Sequence, residues 1–209
     1  MNQPQNKNYI LYQVYAEAVD SNCYIFGSKK TKEVAIVDPG SDPKKIKELL
    51  KKEHLKPLFI INTHGHFDHI GANRDFELPV YIHKRDGNFL TNPLLSLAAL
   101  YGNFKGSQKA TRLLEDDDII KIADVSLKVI HTPGHTPGSI SLLYDNILLS
   151  GDTLFADGVG RTDLPYGNSK QISESIKNKL FCLDDSVVVF PGHGEKTTIA
   201  QEKRNNTWV

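Results

Sequence analysis

The chain has 209 residues, and its 25 Lys plus Arg balance its 25 Asp plus Glu, so the formal net charge is zero. A chain of this length fills one hydrophobic core and is short for two, so we expect a single domain over residues 1–209. The balanced charge provides no field that would concentrate nucleic acid or an anionic membrane. We therefore expect a small-molecule partner, and the sequence contains no pattern that predicts an oligomeric state.

The N-terminus and the cysteines indicate the compartment. The first residues, MNQPQNKN, are polar, and no segment approaches the ~18 consecutive apolar residues that a membrane span needs. Cys23 and Cys182 lie far apart and lack CxxC spacing, as expected of small apolar residues in a reducing compartment. We expect a soluble, cytoplasmic protein without a disulfide framework.

Short apolar runs alternate with helix and turn signals in the first part of the chain. This alternation predicts an α/β layered fold. The predicted elements are a hairpin (22–26 and 33–37), a helix that begins at Pro43 with Ser41 or Asp42 as its cap, a buried parallel strand (57–61), a short helix (70–76) and a further strand (79–83).

The stretch THGHFDHIG, residues 63–71, follows the predicted strand 57–61 directly. His64 and His66 are two residues apart, so in an extended segment both rings leave one side and can close on one metal ion. Asp68 and His69 follow in a spacing that points them elsewhere, which suggests a second ion. Imidazole and carboxylate ligands suit zinc first, with iron or manganese as alternatives.

Three later strand ends also carry metal-ligand residue types. Residues 84–114 are compatible with either a core helix or a lid over the site, in which Tyr101 and Phe104 would be exposed. The later predicted elements are a strand (125–130) before the Pro-Gly turns around His135, a hairpin (139–144 and 147–150) that leads to Asp152, a helix capped by Asn168 or Ser169 with Ile172, Ile176 and Leu180 on one face, and a strand (187–190) that leads to His193.

Ligands from the strand ends of one sheet system can converge on one crevice. The set suits two divalent ions, and its predicted members are His64, His66 and His135 on one ion, Asp68, His69 and His193 on the other, and Asp152 bridging both. Asp38, at the end of the strand 33–37, is either a turn residue or a carboxylate that orients a ligand histidine through a hydrogen bond.

The quoted motifs together resemble the metallo-β-lactamase superfamily, and within it the single-domain proteins similar to glyoxalase II. The resemblance rests on THGHFDH, HTPGHTPGS, SGDTLF, GVGRTDLPYG and FPGHGEKTTIAQEKRNN. It implies a four-layer αββα sandwich with the site at one edge of two facing sheets. It also suggests that Arg161 and Asp163 support the ligands from beneath, although the pair could be a surface salt bridge worth ~0–1 kcal/mol.

A hydroxide between two divalent ions is a nucleophile at neutral pH, so we predict a metallo-hydrolase with Asp68 and Asp152 as catalytic residues. The resemblance implies an acyl thioester as substrate. Full-length glyoxalase II has a further helical domain that binds glutathione, whereas sixteen residues follow His193 here, so the thiol is not assigned.

Two other reactions use similar motifs. One is lactone hydrolysis at the same centre. The other is a persulfide dioxygenase with one iron on His64 or His66, His135 and Asp152. A metal-stabilised binding protein is disfavoured, because a structural site would close its coordination.

Overall fold

A computed structural model describes residues 8–100 and 106–209. Its two main sheets have six strands each. The first sheet, in spatial order, consists of β1 (Tyr9–Ala16), β2 (Ser21–Ser28), β3 (Glu33–Val37), β4 (Lys56–Asn62), β5 (Val80–His83) and β6 (Arg112–Leu114). Strands β1 to β3 are antiparallel, and β3 to β6 run parallel.

The second sheet is built from the remainder of the chain. Its strands are β7 (Ile119–Ile122), β8 (Val125–His131), β9 (Ile140–Tyr144), β10 (Ile147–Gly151), β13 (Val188–Pro191) and β14 (Thr197–Thr198), in the spatial order β14-β13-β10-β9-β8-β7. The pair β10–β13 is parallel and its neighbours are antiparallel. A small hairpin joins β11 (Leu154–Phe155) to β12 (Gly158–Val159). Each main sheet thus uses one continuous part of the chain.

The helices are α1 (Pro43–Lys52), α2 (Phe67–Ile70), α3 (Ser169–Ser175), which continues into a π-helical turn (Ile176–Leu180), and α4 (Ile199–Asn205). Three 3₁₀ segments span Asn73–Phe76, Lys84–Leu90 and Ala98–Leu100. No helix within residues 8–100 and 106–209 is long and apolar enough to cross a membrane.

Strand alternation divides the core into three layers of apolar contacts. In β2, Tyr24 and Phe26 face the second sheet, whereas Cys23 and Ile25 face α1. The outer face of the second sheet packs against Ile172 and the turns that follow it. Because successive side chains of a strand point to opposite faces, each sheet is covered on both sides. This arrangement confirms the predicted αββα sandwich.

The predicted hairpins and the helix start at Pro43 are confirmed, but its cap is not. Asp42 has φ 54° and makes no capping hydrogen bond; its carboxylate instead accepts from the Glu17 backbone N–H at 3.0 Å and from the Ser41 hydroxyl. A tertiary contact with the turn after β1 has replaced the local bond. Asn168, in contrast, accepts from the Gln171 N–H at 3.0 Å and caps α3 as predicted.

The helix predicted over 70–76 is wrong. The segment forms α2 and the separate 3₁₀ turn Asn73–Phe76. Between them, the Ala72 N–H donates to the Pro39 carbonyl at 2.9 Å and the Asp68 carbonyl accepts from the Ser21 hydroxyl at 2.8 Å, so tertiary hydrogen bonds replace the bond that a continuous helix would form.

The segment 84–114 contains no continuous helix among its described residues. It holds two 3₁₀ segments and β6, and Leu97 and Leu100 line the cavity described below. Tyr101 and Phe104 lie outside the described residues.

Candidate metal centre

Strand ends bring the predicted ligands together at one edge of the sandwich. His64 and His66 follow β4, and Asp68 and His69 lie in α2. The other three follow β8, β10 and β13 in the second sheet; they are His135, Asp152 and His193. Both sheets open toward the same edge, so residues from the two parts of the chain meet between them.

Three of these side chains form a buried cluster that we call the three-histidine group: His64, His66 and His135. The Nε2 atom of His135 lies 2.8 Å from His66 Nδ1 and 3.2 Å from His64 Nε2. All three side chains are at most 3% exposed. Three ring nitrogens therefore converge on one small volume.

Asp68, His69 and His193 form a second cluster, which we call the mixed group. His69 Nε2 lies 3.3 Å from His193 Nε2, and Asp68 Oδ2 lies 3.3 Å from the same His193 atom. His69 is fully buried, while His193 is partly exposed toward a cavity.

Asp152 lies between the two groups. Its Oδ2 is 3.5 Å from His135 Nε2 and 3.4 Å from His193 Nε2, and its Oδ1 is 3.3 Å from His69 Nε2. A single carboxylate therefore faces a member of each group, which is the position that the predicted bridging role requires.

The hydrogen bonds behind the rings show that this donor set suits cations. His135 Nδ1 donates to the Arg161 carbonyl at 2.8 Å, so in the neutral ring Nε2 carries a lone pair. That lone pair points at two other ring nitrogens, an arrangement that hydrogen bonding among the rings satisfies poorly. Asp152 Oδ1, also buried, has no hydrogen-bond partner. A divalent cation in each group would satisfy these atoms.

The pKa values of His64 and His66, in the three-histidine group, are shifted in the opposite direction from that of His193, in the mixed group. Burial, with a contribution from His135, lowers the pKa of His66 to about 3, and burial with neighbouring His69 holds that of His64 well below its usual range. Burial also opposes the charged form of His193, but hydrogen bonds with Asp152 and Asp68 raise its pKa to about 10. His64 and His66 are thus neutral, whereas a proton on His193 balances the neighbouring carboxylates of Asp68 and Asp152.

Asp38 is placed as the orienting carboxylate. It is buried, has φ 53°, and accepts from the Thr63 N–H at 2.7 Å, the Thr63 hydroxyl at 2.6 Å and His69 Nδ1 at 3.1 Å. With Nδ1 fixed in this way, the His69 Nε2 atom faces Asp152 and His193. Asp38 therefore sets both the tautomer and the orientation of one predicted ligand.

The expected position of Arg161 and Asp163 needs correction. The guanidinium donates to both Asp163 carboxylate oxygens, at 2.9 and 2.8 Å, but the two side chains are 63% and 69% exposed. They form an ion pair at the rim of the site instead of lying beneath the ligands. Arg161 supports His135 through its main-chain carbonyl, a role that residue type does not encode.

Both groups border a cavity of about 680 Å³. Its lining includes the candidate ligands Asp68, His66 and His193 and the apolar residues Val19 and Leu97. A larger concavity of about 760 Å³ lies beside α1, away from the candidate ligands, so volume alone does not mark the site.

The sequence did not point to two contributions from the turn between β1 and β2. Residues 17–20 line the cavity, and the Asp20 carbonyl accepts a hydrogen bond from His193 Nδ1. The second contribution is a backbone oxygen, which carries no residue-type signal. Either contribution could have been predicted only by recognising that β1 pairs with β2.

A family model described as the metallo-beta-lactamase superfamily matches residues 16–193. The chain belongs to this superfamily. The probable metallo-hydrolase YqgX of Bacillus subtilis is 35% identical over 91% of this chain and 93% of its own length. The hydroxyacylglutathione hydrolase GloC of Haemophilus influenzae is 32% identical over 92% of this chain and 94% of its own.

Three solved structures superpose closely on this chain. The BLEG-1 B3 metallo-beta-lactamase has a TM-score of 0.89 at 38% identity, covering 95% of this chain and 99% of that one. TTHA1623, in a di-iron-bound form, has a TM-score of 0.83 at 33% identity, covering 95% and 100%. ETHE1 from Myxococcus xanthus has a TM-score of 0.77 at 27% identity, covering 95% and 83%. The superfamily fold and the cluster of histidines and aspartates suggest a site for two divalent ions without fixing the metal.

Proposed function

We propose that this protein is a metal-dependent hydrolase of acyl thioesters. The observation that carries the proposal is the position of Asp152 between the three-histidine group and the mixed group, in the lining of an open cavity. Two ions held on either side of one carboxylate suit hydrolysis of an acyl bond. The similarity to a hydroxyacylglutathione hydrolase of almost the same length supports a thioester as that bond.

The residues divide the work as follows. When bound, two divalent ions lower the pKa of water and polarise a carbonyl group. The three-histidine group would hold one ion, the mixed group the other, and Asp152 would hold their separation. Asp68, which is partly exposed to the cavity, would orient the attacking water through its carboxylate. In the overall reaction, water adds to the thioester carbonyl and the thiol leaves.

Metal analysis of the purified protein, combined with assays of thiol release and of oxygen uptake, tests this proposal. We expect close to two ions per chain in protein purified without chelators, and steady release of thiol from a 2-hydroxyacyl thioester. One iron per chain, with oxygen uptake on a glutathione persulfide, would replace the proposal with the dioxygenase reaction. Reconstitution with zinc, iron and manganese is needed in parallel, because metal content also reflects the expression host.

Substrate competition tests the acyl bond itself. The structural similarity to a protein described as a B3 metallo-beta-lactamase makes a chromogenic cephalosporin the informative competitor, with a lactone as a third substrate. We expect the thioester to have the highest kcat/KM of the three. Higher efficiency on the cephalosporin or the lactone would contradict the proposed substrate class while leaving a metallo-hydrolase.

The thiol portion is a separate question. We expect turnover to tolerate a shortened thiol, because most of the lining residues other than the candidate ligands are apolar, among them Val19, Leu97 and Leu100. The comparison is the same acyl group on glutathione and on a truncated thiol. A strong preference for glutathione would contradict this expectation and would indicate that the protein recognises the complete tripeptide.

A further inference from the structure

Asp86 lies next to the metal centre, although no motif in the sequence marks it. It belongs to the 3₁₀ segment Lys84–Leu90, directly after β5, and it is completely buried. Within the part of the chain that the structure describes, no lysine or arginine forms an ion pair with it. Its carboxylate is instead satisfied by three hydrogen-bond donors.

These donors come from the two loops that carry the three-histidine group. Asp86 Oδ2 accepts from the Gly65 backbone N–H at 3.0 Å and from the Thr136 hydroxyl at 2.7 Å. Asp86 Oδ1 accepts from the Gly138 backbone N–H at 2.7 Å. Gly65 lies between two ligand histidines, and Thr136 follows the third. One buried carboxylate therefore joins a loop of the first sheet to a loop of the second.

Two glycines leave the space that this contact needs. A Cβ on Gly138 would lie 2.5 Å from Asp86 Oδ1, and a Cβ on Gly65 would lie 2.2 Å from the Cβ of Phe89 in the same 3₁₀ segment. Both approaches are closer than real side chains allow. The loops thus come as near to the segment as the backbone permits.

We propose that Asp86 is a positioning residue that fixes the distance between the two ligand loops and so preorganises the three-histidine group for its ion. Burying a carboxylate without a cation is unfavourable: burial raises the pKa of Asp86 to about 6, even though hydrogen bonds from Thr136, Gly65 and Gly138 oppose the shift. The fold retains this unfavourable group where it links the two loops. The inference rests on the ligand assignment behind the proposed function, but not on the thioester.

The variant Asp86→Asn tests the link. An amide has one acceptor oxygen and one donor nitrogen, so the nitrogen would face a donor of a ligand loop whichever way the group turns. We expect cobalt(II) affinity of the three-histidine group to fall about 10–100-fold, as for partners that orient ligands, with a smaller change in the mixed group. The measurement is a cobalt titration of chelator-treated protein against a competing chelator, followed by visible absorption. Spectra of His66→Ala and His193→Ala identify the two groups.

Glu202→Gln is the matched control. Glu202 is also a fully buried carboxylate with three donors, namely the Thr197 hydroxyl at 2.6 Å, the Asp157 N–H at 3.0 Å and the Asn206 side-chain amide at 2.9 Å. It lies in α4, and its donors belong to neither loop of the three-histidine group. We expect Glu202→Gln to lower stability and leave cobalt affinity unchanged. Equal losses of cobalt affinity in the two variants would reduce Asp86 to a structural residue and overturn the proposal.

A milder pair keeps the test decisive if Asp86→Asn does not fold. Thr136→Val removes one donor to Asp86 while keeping the side-chain shape, and Thr136→Ser restores the hydroxyl. We expect weaker cobalt binding in the valine variant and recovery in the serine variant. Unchanged affinity in Thr136→Val would then refute the positioning role. Because no substrate is present, a failed thioester assay would leave this result intact.

Discussion

Asp152 is the candidate ligand that lies between the two groups, so its charge acts on the ion proposed for each of them. Burial alone would raise the pKa of Asp152, but neighbouring His69 and a hydrogen bond from His193 hold it well below its usual range. The carboxylate is therefore ionised at neutral pH, and it can offset the repulsion between two dications. Its amide analogue keeps the size and loses that charge.

We predict that Asp152→Asn loses one ion first and reduces turnover at least ~10²-fold, the scale of removing a positioned electrostatic group. Metal analysis after gel filtration and steady-state kinetics measure the two effects. Arg161→Ala is the comparison, since it removes an exposed ion pair but keeps the carbonyl that holds His135, and its metal content should match the unsubstituted protein. Retention of both ions and near-normal turnover in Asp152→Asn would refute the bridging role.

At the scale of elements, the loop after β13 approaches the centre with its backbone at Gly192 as well as with the side chain of His193. A Cβ on Gly192 would lie 2.1 Å from Asp152 Oδ1 and 2.8 Å from His69 Cε1. We predict that Gly192→Ala displaces one of these groups, weakens metal binding by the mixed group and lowers turnover, while the protein still folds. Equilibrium dialysis against zinc, with thermal unfolding as the check on folding, measures this.

Gly158→Ala is the control for that substitution. The nearest atoms to its added Cβ lie 3.8 Å away, which is ordinary contact distance. Zinc binding should be unchanged in this variant. If Gly192→Ala also bound two ions with normal affinity, the loop would be able to shift, and its close approach to Asp152 would not be needed for metal binding.

Elements with strong periodicity could be predicted from the sequence, and others could not. The alternation in β8 and the apolar run of β4 predicted strands, and the spacing of His64 and His66 predicted ligands whose position depends on a strand end. Two-residue strands such as β11 and β14 are too short to show a period. The cap at Asp42 failed because a tertiary contact with Glu17 replaced the local bond.

The proposed role of Asp86 could not be predicted from the sequence. Its three donors come from residues 21, 50 and 52 positions away, so nothing near it in the chain signals its role. A buried acid in a short 3₁₀ segment is indistinguishable in sequence from a surface turn residue. Only the packing of the two sheets places it between the ligand loops.

At the scale of the whole molecule, the protonation of His193 links metal binding to the free energy of unfolding. The folded-state pKa of His193 is raised to about 10 from an ordinary 6.5, against the opposing effect of burial, by hydrogen bonds with Asp152 and Asp68. Between these values the folded protein holds a proton that the unfolded chain has released. The resulting stabilisation is complete below pH 6.5 and is lost as the pH rises through about 10.

We predict that the free energy of unfolding of chelator-treated protein falls between pH 6.5 and 10. Urea unfolding at several pH values measures it, and His193→Asn should show a flatter dependence. Saturating zinc should oppose the trend, because metal binding favours deprotonated ligands and therefore strengthens as the pH rises. A slope shared by the variant would assign the effect to other groups.

The division of the two sheets between successive parts of the chain also affects how the centre is assembled during synthesis. When residues 9–114 have left the ribosome, the first sheet has all its strands, and His64, His66, Asp68 and His69 are present. Both groups still lack a member, since His135, Asp152 and His193 come from the part made later. Completion of either group must therefore wait until the second sheet docks. Metal binding is then a late event in folding, and each bound ion would link the first sheet to the second.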